Sequence, residues 1–308
     1  MKWNAIGETG VRVTEMGLGT AQFGDLYVSL EQSDVDAIVD AAWTRGIRHF
    51  DTAPHYGLGL SERRLGRALR QHDRDDYIVS TKVGRIIEGA GAAARRRWDF
   101  SRQGVTGSLT ASRRRLGIDR IDIAFVHDPD DHADDAIRHA MPELIRLRDA
   151  GDVGAIGVGT KDLRTLLRFV RECEVDVVMV AGRLTLLDHS ALSELVPECE
   201  ARGVAIIGAG IFNSGILAKE APDLLSHYDY APPSAAVLER ARAMATIASR
   251  HGFTLPEAAV AFARRPAPPV VSVAVGADSA EQVARNVALL APTGDSDGLY
   301  TEVLTAIA

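Results

Sequence analysis

An acid, a phenol, an amine and an imidazole stand where short apolar runs give way to polar or glycine-rich chain. They are Asp51 and Tyr56 in FDTAPHYG, Lys82 in STKVGR and His127 in AFVHDPD. Such a set can move a proton. A phenol ordinarily has a pKa of about 10, too high for free exchange near neutrality. A neighbouring ammonium favours the phenolate and lowers that value. A carboxylate can keep the lysine charged and oriented, while an imidazole positions a carbonyl or hydroxyl oxygen. Asp51, Tyr56, Lys82 and His127 are therefore expected to form a relay in which Tyr56 exchanges the proton. The matching hydride must pass to or from a cofactor, because no side chain supplies one. Two further residues are candidates for substrate contact. His55 either faces the same mouth as Tyr56 or braces its own loop. Trp98, in the connection after Lys82, either offers an aromatic face to a sugar or pyridine ring or packs that connection.

The elements that must carry these residues repeat along the chain. A helical segment ends near glycine, a short apolar run follows, and the run stops at polar or small residues. GIRHF, DDYIVS, GIDRIDIAFV, GDVGAIGV, VDVVMV, GVAII and PPVVSVAV follow this pattern, and MGLG at 16–19 makes eight strand candidates. SDVDAIVDAAWTR, QGVTGSLTASRRRL and LRTLLRFVREC have the apolar spacing of amphipathic helices. The strand runs are continuously apolar, so both faces should be buried. Eight β-then-α units predict an α/β fold, a parallel (β/α)8 TIM barrel, in which residues just after the strands line one mouth. The opening KWNAIGETGVRVTEM reads as a hairpin closing the barrel bottom. No linker interrupts the series, so residues 1–308 are expected to form one domain. The long connection from Asn213 to Ser234 reads as an insertion or lid.

Composition narrows the function classes. The 308 residues are 46% hydrophobic and 25% charged, an ordinary globular balance. A net charge of −7 disfavours a nucleic-acid binder or an anionic membrane surface. The basic run Arg113-Arg114-Arg115 sits before Gly117, where cations suit a helix C-terminus. Cys173 and Cys199 show no pairing motif and fit a reducing compartment. The N-terminus lacks the apolar core of a signal peptide, and no apolar run is long enough to span a bilayer, so the cytoplasm is the expected location. The cluster His127-Asp128-Pro129-Asp130-Asp131-His132 has metal-binding residue types, but its Pro-interrupted spacing argues against a metal.

Taken together, the motifs resemble the aldo-keto reductase family. The resemblance rests on GLGT (17–20), FDTAPHYGLGLSERRLG (50–66), STKVGR (80–85), RIDIAFVHDPD (120–130), GAIGVGT (154–160), FNSGIL (212–217) and VGADSAEQVARN (275–286). Within it, PHYGLGLSE, DFSRQGV and VHDPDDH look most like the bacterial aldose 1-dehydrogenase branch, which takes in L-fucose, D-threo-aldose and pyridoxal 4-dehydrogenases. The resemblance implies an Asp-Tyr-Lys-His tetrad at Asp51, Tyr56, Lys82 and His127. It also implies hydride transfer between NAD or NADP and a small carbonyl or sugar substrate. For a sugar, the C1 hydroxyl would be oxidised to a lactone; the competing expectation is an NADPH-dependent aldehyde or ketone reductase. A non-catalytic barrel acting through partner proteins is a third, disfavoured by the complete tetrad.

The same resemblance implies the cofactor contacts. Gly19, Thr20 and Asp51 lie at the first strand ends, and Gly159, Thr160 and Lys161 would meet the carboxamide. Phe212, Asn213, Ser214, Gly215 and Leu217 would lie along the pyrophosphate. Gly276, Asp278, Ser279, Gln282 and Asn286 would surround the adenosine. Lys161 stands where the branch commonly has Asn, and Leu184 where it commonly has Tyr. Asp278 stands where NADP-preferring relatives often carry a cation. A carboxylate there repels a 2′-phosphate and can accept from a ribose hydroxyl, so NAD is expected over NADP.

Overall fold

The computed structural model describes residues 1–26, 28–89, 93–266, 268–291 and 293–306. Strands β1 (Trp3–Ala5) and β2 (Arg12–Thr14) pair antiparallel. Then come β3 (Met16–Gly19), β4 (His49–Asp51) and β5 (Ile78–Val83). A second antiparallel hairpin, β6 (Arg85–Glu88) with β7 (Arg95–Trp98), follows. The series continues with β8 (Ile121–His127), β9 (Val153–Thr160), β10 (Val177–Ala181), β11 (Ala205–Ala209) and β12 (Val270–Gly276). Strands β3, β4, β5 and β8 to β12 form a closed parallel barrel, with β12 pairing back onto β3. This is the expected (β/α)8 architecture, and the eight apolar runs are its eight strands.

Helices between the strands form the outer layer. They are α1 (Gln32–Thr44), α2 (Leu60–Leu69), α3 (Arg102–Leu116), α4 (Ala133–Asp135) and α5 (Met141–Asp149). A π turn at Ala136–Ala140 joins α4 to α5. Then follow α6 (Leu163–Glu172), α7 (Leu195–Arg202), α8 (Ala235–Arg250), α9 (Leu255–Arg264), α10 (Ala280–Ala288) and α11 (Ser296–Ala306). Five starts are capped: the side chains of Ser101, Asp162, Ser234, Thr254 and Ser279 each accept a backbone N–H of the first turn. Gly117 closes α3 with φ +69°, the left-handed stop expected there. Among the described residues, no helix is long and apolar enough to cross a membrane.

Strand periodicity decides what faces the barrel axis. Successive side chains point to opposite faces. In β8, Ala124 and Val126 join the core under the helices, whereas Ile123 and Phe125 fill the barrel interior. In β10, Val178 and Val180 point out and Val177 and Met179 point in. The same interior cluster takes in Ile6 and Val13 from the N-terminal segment, so the first hairpin plugs the end where the strands begin. Burying each such side chain contributes about 1.5–3 kcal/mol. At the opposite end the alternation brings His49 and Asp51, Ser80 and Lys82, and His127 onto the inner face, because their neighbours Phe50, Val79, Val83 and Val126 belong to the outer core. Period two alone thus delivers the acid, the amine and the imidazole to one place.

Candidate active site

Asp51 and His127 end their strands, and Lys82 stands one residue before the end of β5. Lys82 Nζ donates to Asp51 Oδ2 at 2.7 Å, to Asp51 Oδ1 at 3.0 Å and to the Thr52 carbonyl at 2.9 Å. The pair is almost fully buried, with side-chain exposures of 2% and 5%. Behind it, Ser80 Oγ donates to Asp51 Oδ1 at 2.7 Å, and His49 Nε2 lies 3.0 Å from the same Oγ. Ser80 has one proton and gives it to the carboxylate, so His49 must donate through Nε2. Burial holds its pKa down to about 4, the charge of Lys82 helping and that of Asp51 opposing. Asp51 therefore accepts from an ammonium and a hydroxyl at once.

Tyr56 arrives from the loop after β4. Gly57 turns with φ +59°, and a Cβ there would stand 2.7 Å from Gly24 Cα, so this loop lies directly on the loop after β3. That contact fixes the direction from which the phenol enters. The Lys82 ammonium sits 4.9 Å from the centroid of the Tyr56 ring. The His127 ring stands perpendicular to it at 6.0 Å. The four residues are thus brought together as a group.

The charges differ in one respect from the sequence expectation. Burial raises the Tyr56 pKa above its usual value; Lys82 opposes this without overcoming it, and Asp51 adds to the rise. The expected lowering by the ammonium is present but is the smaller effect. Burial also disfavours a charged Lys82, yet the Asp51 carboxylate and then Tyr56 outweigh it and hold the amine above its ordinary range. His127 is driven well below its usual value by burial and by the positive charges of Lys82 and Arg85, so it is a neutral imidazole. Among the described residues, its Nδ1 has no hydrogen-bond partner.

The mouth also holds a network that sequence reasoning missed. Arg85 Nη1 donates to Asp128 Oδ2 at 2.6 Å, and its Nη2 lies 3.0 Å from His55 Nε2. Burial, then Arg85 and Arg96, hold His55 near pKa 4, so it accepts this hydrogen bond as a neutral ring. The His55 ring packs edge-on against His127 at 5.7 Å. His55 therefore lies in the mouth and braces it at the same time. Trp98, paired with Arg85 across β6 and β7, lies under the guanidinium at 4.9 Å and stacks on Phe100 at 5.7 Å. It remains 38% exposed. The run Arg95-Arg96-Arg97 belongs to this hairpin, with Arg95 and Arg97 paired to Glu88. Glu62, conspicuous in the same loop-helix motif as Tyr56, has a structural post: it accepts from Thr81 Oγ1 at 2.8 Å and from Arg115 Nε at 2.5 Å.

Among the residues expected to touch a cofactor, the structure separates open positions from occupied ones. Gly19 pairs with Gly276 across β3 and β12. Asn213, Ser214 and Gly215 all have positive φ, and the N–H groups of Asn213 and Gly215 are used inside the turn, donating to the Gly210 and Phe212 carbonyls at 2.9 Å. The Asn213 Oδ1 atom is buried without a partner among the described residues. Ser279 caps α10, its Oγ accepting from Gln282 N at 3.2 Å, and Gln282 Oε1 accepts from Asp278 N at 3.1 Å. Asn286 Nδ2 donates to the Gly276 carbonyl at 3.3 Å. The feature here that fits a bound nucleotide is the orphaned amide oxygen of Asn213.

Four further expected contacts are occupied within the protein. Leu217 is fully buried, packs with Ile216 against α8 and α9, and donates its N–H to the Phe212 carbonyl at 3.2 Å. It anchors the turn, whereas Phe212 at the turn's start is only partly buried. The Thr160 side chain leaves the axis by the period-two rule. Its hydroxyl donates to Asp130 at 2.7 Å, and Thr20 Oγ1 likewise donates to the Asp51 carbonyl at 2.9 Å. Lys161 is paired with Asp229 of the long connection at 3.1 Å. Tyr230 N donates to Ser214 Oγ at 3.0 Å, so this connection folds back over the turn. Leu184 is 1% exposed within the core, so no wall of the mouth is built from it. Among the described residues, no three His, Cys, Asp or Glu side chains group so as to hold a metal.

Comparison with known proteins gives the same direction. The sequence profile of the Aldo/keto reductase family matches residues 15–297. A D-threo-aldose 1-dehydrogenase from Pseudomonas sp. is 39% identical over 94% of this chain and 94% of its own length. A pyridoxal 4-dehydrogenase from Microbacterium luteolum is 35% identical over 92% and 91%. The holo form of an aldo-keto reductase from Bacillus halodurans superposes with a TM-score of 0.81 over 99% of this chain and 96% of that one. At 23% identity, that likeness is one of fold.

Proposed function

The chain belongs to the aldo/keto reductase family of nicotinamide-dependent oxidoreductases, and we propose that it oxidises an aldose at C1 to the lactone, Tyr56 taking the hydroxyl proton. The observation that carries this reading is the convergence of Asp51, Lys82, Tyr56 and His127 at the ends of β4, β5 and β8. A bound nicotinamide cofactor would accept the hydride leaving C1. The protein's own part is positional and electrostatic. His127, held neutral, has one N–H to give, so it can hold the substrate oxygen without competing as an acid. Lys82, locked by Asp51 and Thr52, keeps a positive charge beside the phenol and so stabilises the phenolate that proton transfer requires.

On the cofactor side, the reading favours NAD. Asp278 presents a carboxylate at the start of α10, and among the described residues no hydrogen bond or ion pair occupies it. A negative group there accepts from a ribose hydroxyl and repels a 2′-phosphate. A second reading, reduction of an aldehyde or ketone with NADPH, draws on the raised Tyr56 pKa, since a protonated phenol is poised as an acid. The experiment is the appearance of reduced cofactor when NAD or NADP is offered with L-fucose, D-arabinose, L-galactose, pyridoxal or a simple alcohol. Sugar-dependent reduction of NAD, lowered about 100-fold or more by Tyr56→Phe, is the expected outcome. Activity confined to aldehyde reduction with NADPH refutes both the direction and the role of Asp278.

A further inference from the structure

Arg85 and Asp128 are charged groups at the reacting end for which the proton relay has no use. Arg85 is fixed from three sides: it donates to Asp128 at 2.6 Å, reaches His55 Nε2 at 3.0 Å and lies over the Trp98 ring at 4.9 Å. Asp128 is fixed by its backbone as well. Its N–H donates to the Gly159 carbonyl at 2.9 Å, and its φ of +42° lies in the left-handed region that side chains other than Gly, Asn and Asp rarely adopt. A conformation of that kind persists only where the surroundings impose it. The result puts Asp128 Oδ2 3.5 Å from His127 Nε2 while 38% of the side chain stays open. Any substrate whose oxygen is held by His127 brings its next carbon toward this carboxylate.

The chemistry of the pair selects the ligand. A lone carboxylate would attract a cation and a lone guanidinium an anion. Together they are neutral, and they offer an acceptor beside a fork of donors. Vicinal hydroxyls, which donate and accept at once, match that arrangement. We infer that Asp128, braced by Arg85, binds the hydroxyl on the carbon next to the reacting one, and so selects hydroxylated substrates over their deoxy counterparts. This rests on the proposed oxidoreductase reading but not on its direction.

The test is a ratio. kcat/KM is measured for an aldose and its 2-deoxy analogue in oxidation, and for glycolaldehyde and propanal in reduction. The wild-type ratio of hydroxylated to deoxy substrate should be about 10 or more, the worth of one hydrogen bond to a charged group. In Asp128→Asn, which tolerates the same backbone, the ratio should fall about tenfold. Arg85→Lys, which keeps the charge but loses the fork, should lower it less. If Asp128 instead acted through His127, both substrates would lose rate together and the ratio would hold; that outcome overturns the inference. So does a wild-type ratio near one. If sugars are not oxidised at all, the proposed function fails, while the aldehyde pair still decides the role of Asp128.

Discussion

The buried Asp51–Lys82 pair allows stability and turnover to be separated. Lys82→Met would leave Asp51, 4% exposed, with Ser80 as its remaining side-chain donor. Stranding a buried charge costs about 3–5 kcal/mol. With an unfolding entropy of about 2.1 cal/mol/K per residue over 308 residues, that is a fall in Tm of about 5–8 °C. Asp51→Asn should cost a comparable amount, because it strands the ammonium instead. The double replacement removes both charges and should recover most of the loss, a coupling that a double-mutant cycle measures directly. Lys82 has its pKa raised in the folded protein, so the stability it contributes is complete below the ordinary lysine value and is lost only as pH rises through the folded one. Melts at neutral pH therefore register it in full. Turnover should stay abolished in Lys82→Met and in the double variant, since both leave Tyr56 without the ammonium beside it. Additive losses of stability would show that the two side chains are not paired in solution. A double variant that recovered turnover along with stability would refute the role given to Lys82.

Two further outcomes follow from the geometry. Because Tyr56 lies above its usual pKa, oxidation that needs the phenolate should rise about tenfold per pH unit through the neutral range. A pH profile of kcat/KM for oxidation that levels off below about pH 8 would place the base elsewhere. At the contact between α2 and α3, a Cβ on Gly66 would stand 2.1 Å from the Leu116 carbonyl oxygen. Gly66→Ala should therefore cost about 3 kcal/mol in a urea melt, and an unchanged midpoint would mean that the helices separate at no cost.

What the sequence revealed depended on whether a signal repeats. Each barrel strand is a run such as IDIAFVH in which both faces are buried, so its apolar continuity shows without knowledge of its neighbours. The tetrad was legible because Asp51 and His127 end such runs, Lys82 stands one residue from the end of another, and Tyr56 follows in the loop after the first. The β6–β7 hairpin was not, because all four residues of RRRW are exposed and carry no alternation. Its signal was electrostatic: Glu88 opposite Arg95 and beside Arg97. Glu62 lies in the same stretch as Tyr56, and nothing local shows that Thr81 and Arg115 will reach it from another strand and another helix. The partners of Lys161 and Thr160, Asp229 and Asp130, likewise come from distant loops. Arg85 and Asp128 stood next to recognised motifs, but only the fold shows that they meet.

The Tyr56 shift, reversed from the sequence expectation, explains why this mouth needs two ion pairs with such different exposure. Removing water makes the charge of Lys82 more effective at the phenol, and the same removal penalises the phenolate. Here the second effect is larger, so at neutral pH the resting site holds a phenol that releases its proton readily only when something else compensates the charge. A sealed pair such as Asp51–Lys82, at 2% and 5% exposure, cannot supply that compensation on demand, because its partners are already committed. It sets a constant field. The Arg85–Asp128 pair, at 22% and 38%, remains within reach of solvent and therefore of a ligand. Replacing water with substrate hydroxyls at that pair changes the surroundings of His127 and Tyr56 only when a substrate is present. On this reading, the buried pair makes the proton transfer possible and the open pair decides for which molecule it happens.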